Sequence, residues 1–204
     1  MYGPADFAAD TGVSRETIER LSAYAALLAK WQPRINLISS ATLADVWRRH
    51  MLDSAQLLPL LPPGTQVIAD LGSGAGFPGL VLAILGVAEV HLIESDQRKS
   101  VFLAEAARAA GANPVIHTQR IESVGGLSVG AVTARACAPL EKLLSYAQKF
   151  LWHDGKALFL KGAAVEEELT VARKNWHMEV ERFPSVSDPT GCILRIGQVR
   201  RAGH

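Results

Sequence analysis

The stretch of this 204-residue chain best suited to chemistry runs Val67-Ile68-Ala69-Asp70-Leu71-Gly72-Ser73-Gly74-Ala75-Gly76-Phe77-Pro78-Gly79. A β-branched run stops at Asp70, three glycines follow at alternate positions, and Pro78 opens an apolar stretch from Leu80 to Gly86. The pattern predicts a strand, a glycine-rich turn and a helix. Glycines allow a sharp turn and let a ligand approach the main chain, and proline suits the first helical turn, where its missing N–H is not needed. The turn is therefore a candidate nucleotide cradle. Its spacing, Gly-x-Gly-x-Gly behind an acid, is not the G-x-G-x-x-G/A of dinucleotide-binding folds, and Phe77 stands where a third glycine would let helix and strand pack closely. A lone glycine motif also fits a mere tight connection. A second strand, Glu89-Val90-His91-Leu92-Ile93-Glu94, ends in an acid about 20 residues beyond the turn, where such folds place a ribose-binding carboxylate. Glu94 is thus the candidate for the adenosine ribose hydroxyls.

The loop resembles motif I of S-adenosylmethionine-dependent methyltransferases, whose ligand carries no phosphate. The surrounding elements agree with that resemblance. From Val67 onward strands and helices alternate: strands to Asp70, to Glu94, over 114–118, 131–135 and 156–161, with helices from Pro78, through Phe102, weakly over 122–127, and over 140–151 and 166–175. Alternation of this kind predicts a parallel sheet covered by helices on both faces. The tail differs, because strands 177–183 and 192–199 flank a Pro/Ser/Asp/Gly loop and read as an antiparallel hairpin closing the sheet. Residues 1–62 read as a helical extension. Ser14 caps a helix with apolar positions Ile18, Leu21, Ala25, Leu28 and Trp31, and a second helix is expected from Thr42 to about Leu58. The predicted fold is α/β: a Rossmann-like, mostly parallel sheet of the class I methyltransferase type over 63–204, preceded by that extension.

Composition narrows the partners. Lys+Arg 21 against Asp+Glu 20 leaves a net charge of +1, so any nucleic-acid surface must be local. Two distant cysteines, Cys137 and Cys192, lack zinc-site spacing, and no metal is expected. The opening residues, Met1 to Asp6, lack the basic and apolar segments of a signal peptide, and no run spans a bilayer, so a cytoplasmic protein is expected.

In an open parallel sheet the ligand lies beyond the carboxyl ends of the strands. Asp70 either fixes the glycine loop or meets a methionine amino group through solvent. Ile121 and Glu122 are placed to offer a backbone N–H and a carboxylate to an adenine edge, although Arg120 with Glu122 also fits a solvated ion pair. Arg135, flanked by Ala134 and Ala136 at a strand end, needs a carboxylate partner or a ligand, since an unpaired interior charge is expensive. The same position lacks the acidic or amide residue and Pro-Pro-aromatic run that methylation of exocyclic amines uses. Cys137 is the one nearby thiol for pyrimidine C5 chemistry, and a small buried hydrophobe is the preferred reading of it. Guanine N7 is an exposed lone pair, so its methylation requires mainly placement.

At family level the chain is similar to the bacterial small-subunit (16S) ribosomal RNA guanine-N7 methyltransferase G family, the glucose-inhibited division protein B family. Tyr24, Leu28, Lys30-Trp31, Ile35-Asn36-Leu37 and Arg49-His50-Met51-Leu52-Asp53-Ser54 carry the resemblance in the extension. Asp70 to Gly79, Glu94-Ser95, Phe102-Leu103, Arg120-Ile121-Glu122, Ala134-Arg135-Ala136 and Leu160-Lys161-Gly162 carry it in the sheet. The resemblance implies that Gly72, Phe77, Ile121, Glu122 and Arg135 contact S-adenosylmethionine, beside Asp70, Gly74, Gly76 and Glu94. It also implies that Asn36, Arg49, His50, Asp53 and Lys161 line the mouth where guanine enters, with His50, Asn36, Arg135 and Lys161 closest to the reaction. His50 and Asp53 read equally well as an i, i+3 pair bracing the extension. Arg34, Arg48, Arg49, Arg200 and Arg201 are the local basic residues for RNA phosphates. A monomer acting on a small-subunit particle is the resulting expectation. Its rivals are a nicotinamide oxidoreductase, a small-molecule methyltransferase and a non-catalytic RNA-binding module, disfavoured respectively by the glycine spacing, the N-terminal match and the intact cofactor loop.

Overall fold

A computed structural model describes residues 2–203, so Met1 and His204, the outer limits of the expected extension and sheet domain, lie outside the described residues. Seven strands, β1 (Val67–Leu71), β2 (Glu89–Ile93), β3 (Val115–His117), β4 (Val129–Arg135), β5 (Leu151–Lys161), β6 (Trp176–Pro184) and β7 (Cys192–Arg201), form one sheet in the order β3-β2-β1-β4-β5-β7-β6. The first five run parallel, and β7 enters antiparallel between β5 and β6. Strand order reverses between β1 and β4, and at such a switch point the helices on either side leave a crevice beyond the strand ends.

Side-chain alternation along each strand divides the core in two. Ile68, Ala131, Leu158 and Ile193 face one cluster, whereas Ala69, Leu71, Val132, Phe159 and Leu194 face the other. Helices α5 (Gly79–Ile84) and α6 (Gln97–Ala109) cover the first face, and α7 (Leu140–Phe150) and α8 (Val165–Ala172) cover the second. The first face also carries the N-terminal extension. Helix α2 (Arg15–Trp31) starts as expected at Ser14, whose Oγ accepts the Thr17 N–H at 3.2 Å, and it buries Leu21, Tyr24 and Leu28. Ahead of it lies α1 (Pro4–Thr11), a helix that the sequence pattern does not predict; it buries Phe7 against the Trp47 ring at 5.6 Å.

Two expected helices are corrected by the structure. The segment read as one helix from Thr42 to Leu58 is broken into α3 (Ser40–Leu43), a π-helical turn (Trp47–Leu52), α4 (Asp53–Ala55) and a 3-10 turn (Leu58–Leu60). The wide turn admits an extra residue per repeat and brings His50, Met51 and Leu52 together into the buried side. The weak helix expected over 122–127 is a single 3-10 turn, Ile121–Ser123, because Gly125 and Gly126 follow at once and Gly126 adopts φ +68°. The third crossover therefore leaves the end of β3 open beside the crevice.

Candidate active site

Beyond the ends of β1, β4 and β5 lies a cleft of about 600 Å3, floored by the glycine loop and walled by the π-helical turn, Arg135 and Lys161. The loop's shape requires its glycines. Gly72, Gly74 and Gly76 all have positive φ (64°, 56° and 97°), a region that disfavours other L-residues. A Cβ on Gly72 would lie 2.7 Å from the Cys137 Cβ, and one on Gly76 would lie 2.8 Å from the Tyr24 hydroxyl. Above Gly74, by contrast, a Cβ would find nothing nearer than 3.8 Å. Gly74 is the position where the loop is bare to the cleft, as close approach of a ligand demands.

Three side chains fix this loop. The buried Tyr24 hydroxyl of α2 donates to the Ala75 carbonyl, and its ring packs 5.2 Å from Phe77. Asp70, wholly buried, accepts the Thr133 hydroxyl at 2.8 Å, and its other carboxylate oxygen lies against the Gly79 backbone, where the loop enters its helix. Burial pushes the Asp70 carboxyl up to about 6, against the pull of Thr133 and Ser73. Because Asp70 is sealed from the cleft, its bearing on a ligand is through the loop. Glu94 Oε2 accepts the Gly74 N–H at 2.9 Å and Oε1 accepts the Asp96 N–H at 2.8 Å, so this carboxylate closes the cradle from the β2 side.

A shallow side groove of about 160 Å3 continues from Gly72 and Glu94 to Ile121 and Glu122. Glu122 accepts the Tyr146 hydroxyl, which holds its carboxyl below the usual range, and Lys142 lies 3.6 Å away. Gly72, Glu94 and Cys137 line both spaces, so cleft and side groove are continuous from the glycine loop to Glu122.

Phe77 sits at the centre of the cleft wall. Its ring stacks on His50 at 4.9 Å and carries the Arg135 guanidinium 5.0 Å above it. Arg135 also donates to the Arg49 carbonyl at 3.1 Å and to Asp53 Oδ2 at 3.3 Å, which supplies the carboxylate that an arginine in this position needs. His50 is 7 % exposed, Nε2 pairs with Thr42 Oγ1 at 2.8 Å and Nδ1 is unpartnered. Burial, with the positive charges of Arg135 and Arg49, lowers its pKa to about 3, so the ring is neutral at physiological pH. Cys137 opens to the cleft beside Gly72, yet the protein around its sulfur and the nearby Asp70 push the thiol up to about 11.

The remaining candidates divide. Lys161 lines the cleft and pairs with Glu168 at 2.6 Å. Arg49 reaches Asp188 at 2.9 Å, and Asp53 accepts the Ser187 hydroxyl. Arg48 lies behind this clamp, in the wall of a separate apolar groove. Asn36 and Arg34 are exposed on the turn after α2, next to the cleft-lining Leu37 and Ile38 but outside the cleft itself. Arg200 and Arg201 occupy the far end of ten-residue β7, roughly 30 Å of strand from Cys192 at about 3.3 Å per residue, with Arg201 stacked on Trp176. Residues that sequence reasoning missed are Ser187, Asp188 and Gln56, which dock the β6–β7 loop on the π-helical turn, together with Glu168 and Ala136. Ala136 adopts φ 50° between Arg135 and Cys137, a strained conformation of the kind that clusters at functional sites. Among the described residues no group of His, Cys, Asp or Glu could hold a metal ion, and no helix is long and apolar enough to cross a membrane.

The strand order and the acid-flanked glycine loop define a class I methyltransferase fold. Solved structures agree, at identities that speak for the fold alone. The ribosomal protein L11 methylase of Lactobacillus delbrueckii subsp. bulgaricus superposes with a TM-score of 0.59 at 15% identity, over 74% of this chain and 77% of its own. A putative O-methyltransferase from Klebsiella pneumoniae gives 0.58 at 12% over 90% of both chains. Within that class the chain belongs to the rRNA small subunit methyltransferase G family, whose model matches residues 17–191. A ribosomal RNA small subunit methyltransferase G of Rhodospirillum rubrum is 61% identical over 199 residues, 98% of this chain and 99% of the relative. That of Rhodospirillum centenum is 58% identical, over 97% and 92%.

Proposed function

We propose that this chain transfers a methyl group from S-adenosylmethionine to N7 of a guanine in 16S ribosomal RNA. The observation that carries the reading is membership of the rRNA small subunit methyltransferase G family over residues 17–191, and the cleft wall agrees with it, since burial keeps its histidine neutral and its cysteine a protonated thiol. Such a wall suits an acceptor that needs neither deprotonation nor covalent activation. Guanine N7 attacks with its own lone pair. The N–C bond forms as the C–S bond breaks, the bonding pair leaves on sulfur, and the purine takes the positive charge with no proton to remove.

S-adenosylmethionine, when bound, supplies the electrophilic methyl on its sulfonium. The residues fit it: Glu94 would accept the ribose hydroxyls, Ile121 and Glu122 would meet the adenine edge in the side groove, and the bare Gly74 would admit the chain between them, with Gly72 and Gly76 shaping the turn. Phe77 and Arg135 close the methionine end. His50 holds the Phe77 ring from behind, and Asn36 and Lys161 stand at the guanine mouth. Arg34, Arg49 and Asp53 form the rim toward RNA, Arg48 would meet RNA only beyond the clamp, and Arg200 and Arg201 would touch a distant part of a large substrate, which favours an assembled small-subunit particle. The chain acts as a monomer in the cytoplasm, with residues 1–62 serving the substrate side and, through Tyr24, bracing the cofactor loop.

Two measurements test this reading. S-adenosylhomocysteine raises the melting temperature and NAD does not, since a ligand that binds only the native state stabilises it by mass action. Tritium from labelled S-adenosylmethionine passes to small-subunit particles. Stabilisation by NAD alone, or no transfer to any ribosomal RNA substrate, contradicts the proposal.

A further inference from the structure

Next to the cofactor cleft lies a second lobe of about 520 Å3 bounded by the β4 exit, Ala136 to Pro139, and by Lys161 and Glu168. Ala136, Cys137 and Lys161 line both spaces, so the lobe opens directly into the cleft. A cofactor with its adenosine toward Glu122 and its methionine over the glycine loop turns its reactive end to this junction.

Glu168 is the singular group there. Its Oε2 accepts two strong donors, the Leu140 N–H at 2.7 Å and the Lys161 ammonium at 2.6 Å. Among the described residues no protein donor reaches Oε1, and the side chain remains 27% exposed. The Leu140 bond, at the start of α7, fixes the carboxylate's orientation, so the free oxygen is held rather than mobile. Lys161, only 8% exposed, spends donors on Glu168 and, at 3.5 Å, on the Ala138 carbonyl, and keeps at least one more for the space it lines. A fixed acceptor and a fixed donor side by side at one rim form a pattern that reads a base edge.

Resting on the proposed guanine methylation, we infer that Glu168 and Lys161 together select guanine. The carboxylate accepts from the N1–H and N2 amine and the ammonium donates to O6. Adenine presents the opposite pattern, an acceptor at N1 and an amine at position 6, and would set donor against donor at Lys161 and lone pair against lone pair at Glu168. Unpaired polar groups of this kind discriminate strongly when desolvated. O6 neighbours N7, so an ammonium at O6 also holds the attacking atom toward the cleft. Glu168 is in this account a specificity-determining residue, separate from the cofactor contacts.

The test compares particles assembled on 16S RNA with guanine or with inosine at the accepting position; inosine keeps N7, O6 and N1–H and lacks only the N2 amine. The wild-type enzyme is expected to lose about tenfold in kcat/KM on inosine, the order of one lost hydrogen bond to a charged partner. Glu168→Gln keeps an oxygen for Leu140 and turns an amide donor to the base. It should lower kcat/KM on guanine about 30-fold, bring the guanine-to-inosine ratio close to one, and leave S-adenosylhomocysteine affinity within about twofold. Wild-type enzyme that methylates both particles equally overturns the inference without any variant. A tenfold ratio persisting in Glu168→Gln also overturns it and reduces the pair to a structural ion bridge. Absence of wild-type transfer to the guanine particle overturns the methylation reading itself, and this inference with it.

Discussion

Glu94 and Gly74 are joined across the mouth of the glycine loop by a 2.9 Å bond from the Gly74 N–H to the Glu94 carboxylate. The carboxylate proposed for the ribose is thus also the group that sets the loop's height. Glu94 is 8% exposed and holds a second N–H, that of Asp96. Glu94→Ala should lower S-adenosylhomocysteine affinity by about 100-fold, more than one ribose contact explains, and lower stability by about 2 kcal/mol. Calorimetric titration and urea melts measure both; intact affinity would remove Glu94 from the site.

The buried ring of His50 makes a pH prediction. Its folded pKa lies near 3, below the ordinary 6.5, because burial, Arg135 and Arg49 all oppose a second proton. The unfolded chain takes up that proton first as pH falls through 6.5, so the histidine withdraws stability on acidification, about 2.5 kcal/mol between pH 7 and pH 4.5. His50→Gln should flatten this slope in urea melts. The wild-type rate should show no inflection from His50 between about pH 5 and 8.

Cys137 supplies the third prediction. With its thiol pushed up to about 11, it carries almost no thiolate at neutral pH. Cys137→Ser is expected to keep transfer activity within about threefold. A dead Cys137→Ser enzyme with normal cofactor binding would point to covalent pyrimidine chemistry instead.

The clamp between the π-helical turn and the β6–β7 loop supports Arg135 from outside the cleft. Asp53 holds Arg135 on one oxygen and the Ser187 hydroxyl and Gln56 amide on the other. Asp53→Ala leaves a partly buried guanidinium unpaired and should weaken methylation of particles about 100-fold, with KM and kcat both affected, and destabilise the fold by about 2 to 3 kcal/mol. Ser187→Ala should shift KM for the particle by about threefold with little change in kcat. Steady-state kinetics of the two variants against particles decide this. Equal effects on cofactor affinity would make the clamp a cofactor lid.

Much of this site is legible in sequence wherever a local rule acts. Gly72, Gly74 and Gly76 announce positive φ, Glu94 announces a strand-end acid at the right distance, and the Pro/Ser/Asp/Gly stretch announces the hairpin turn. What stays hidden is long-range or irregular. Ser187 meets Asp53 across 134 positions, and Glu168 meets Leu140 through a fold in which β5 and α8 must first be placed. The π-helical turn is invisible to a 3.6-residue periodicity, since its residues read as an ordinary helix, and in the fold it brings His50 onto Phe77. The α1 helix escapes for the opposite reason: it buries only Phe7, so it carries too little pattern to see.

The most direct test of the central claim is chemical. A methyl group at guanine N7 puts a positive charge on the purine and opens it to borohydride reduction, after which aniline breaks the strand. Small-subunit particles lacking the modification, incubated with this protein and S-adenosylmethionine, should yield 16S RNA that cleaves at one guanine after that treatment, and remain uncut when S-adenosylmethionine is left out. Tritium incorporated into RNA that resists cleavage would contradict N7 as the acceptor, even with the cofactor cleft as described.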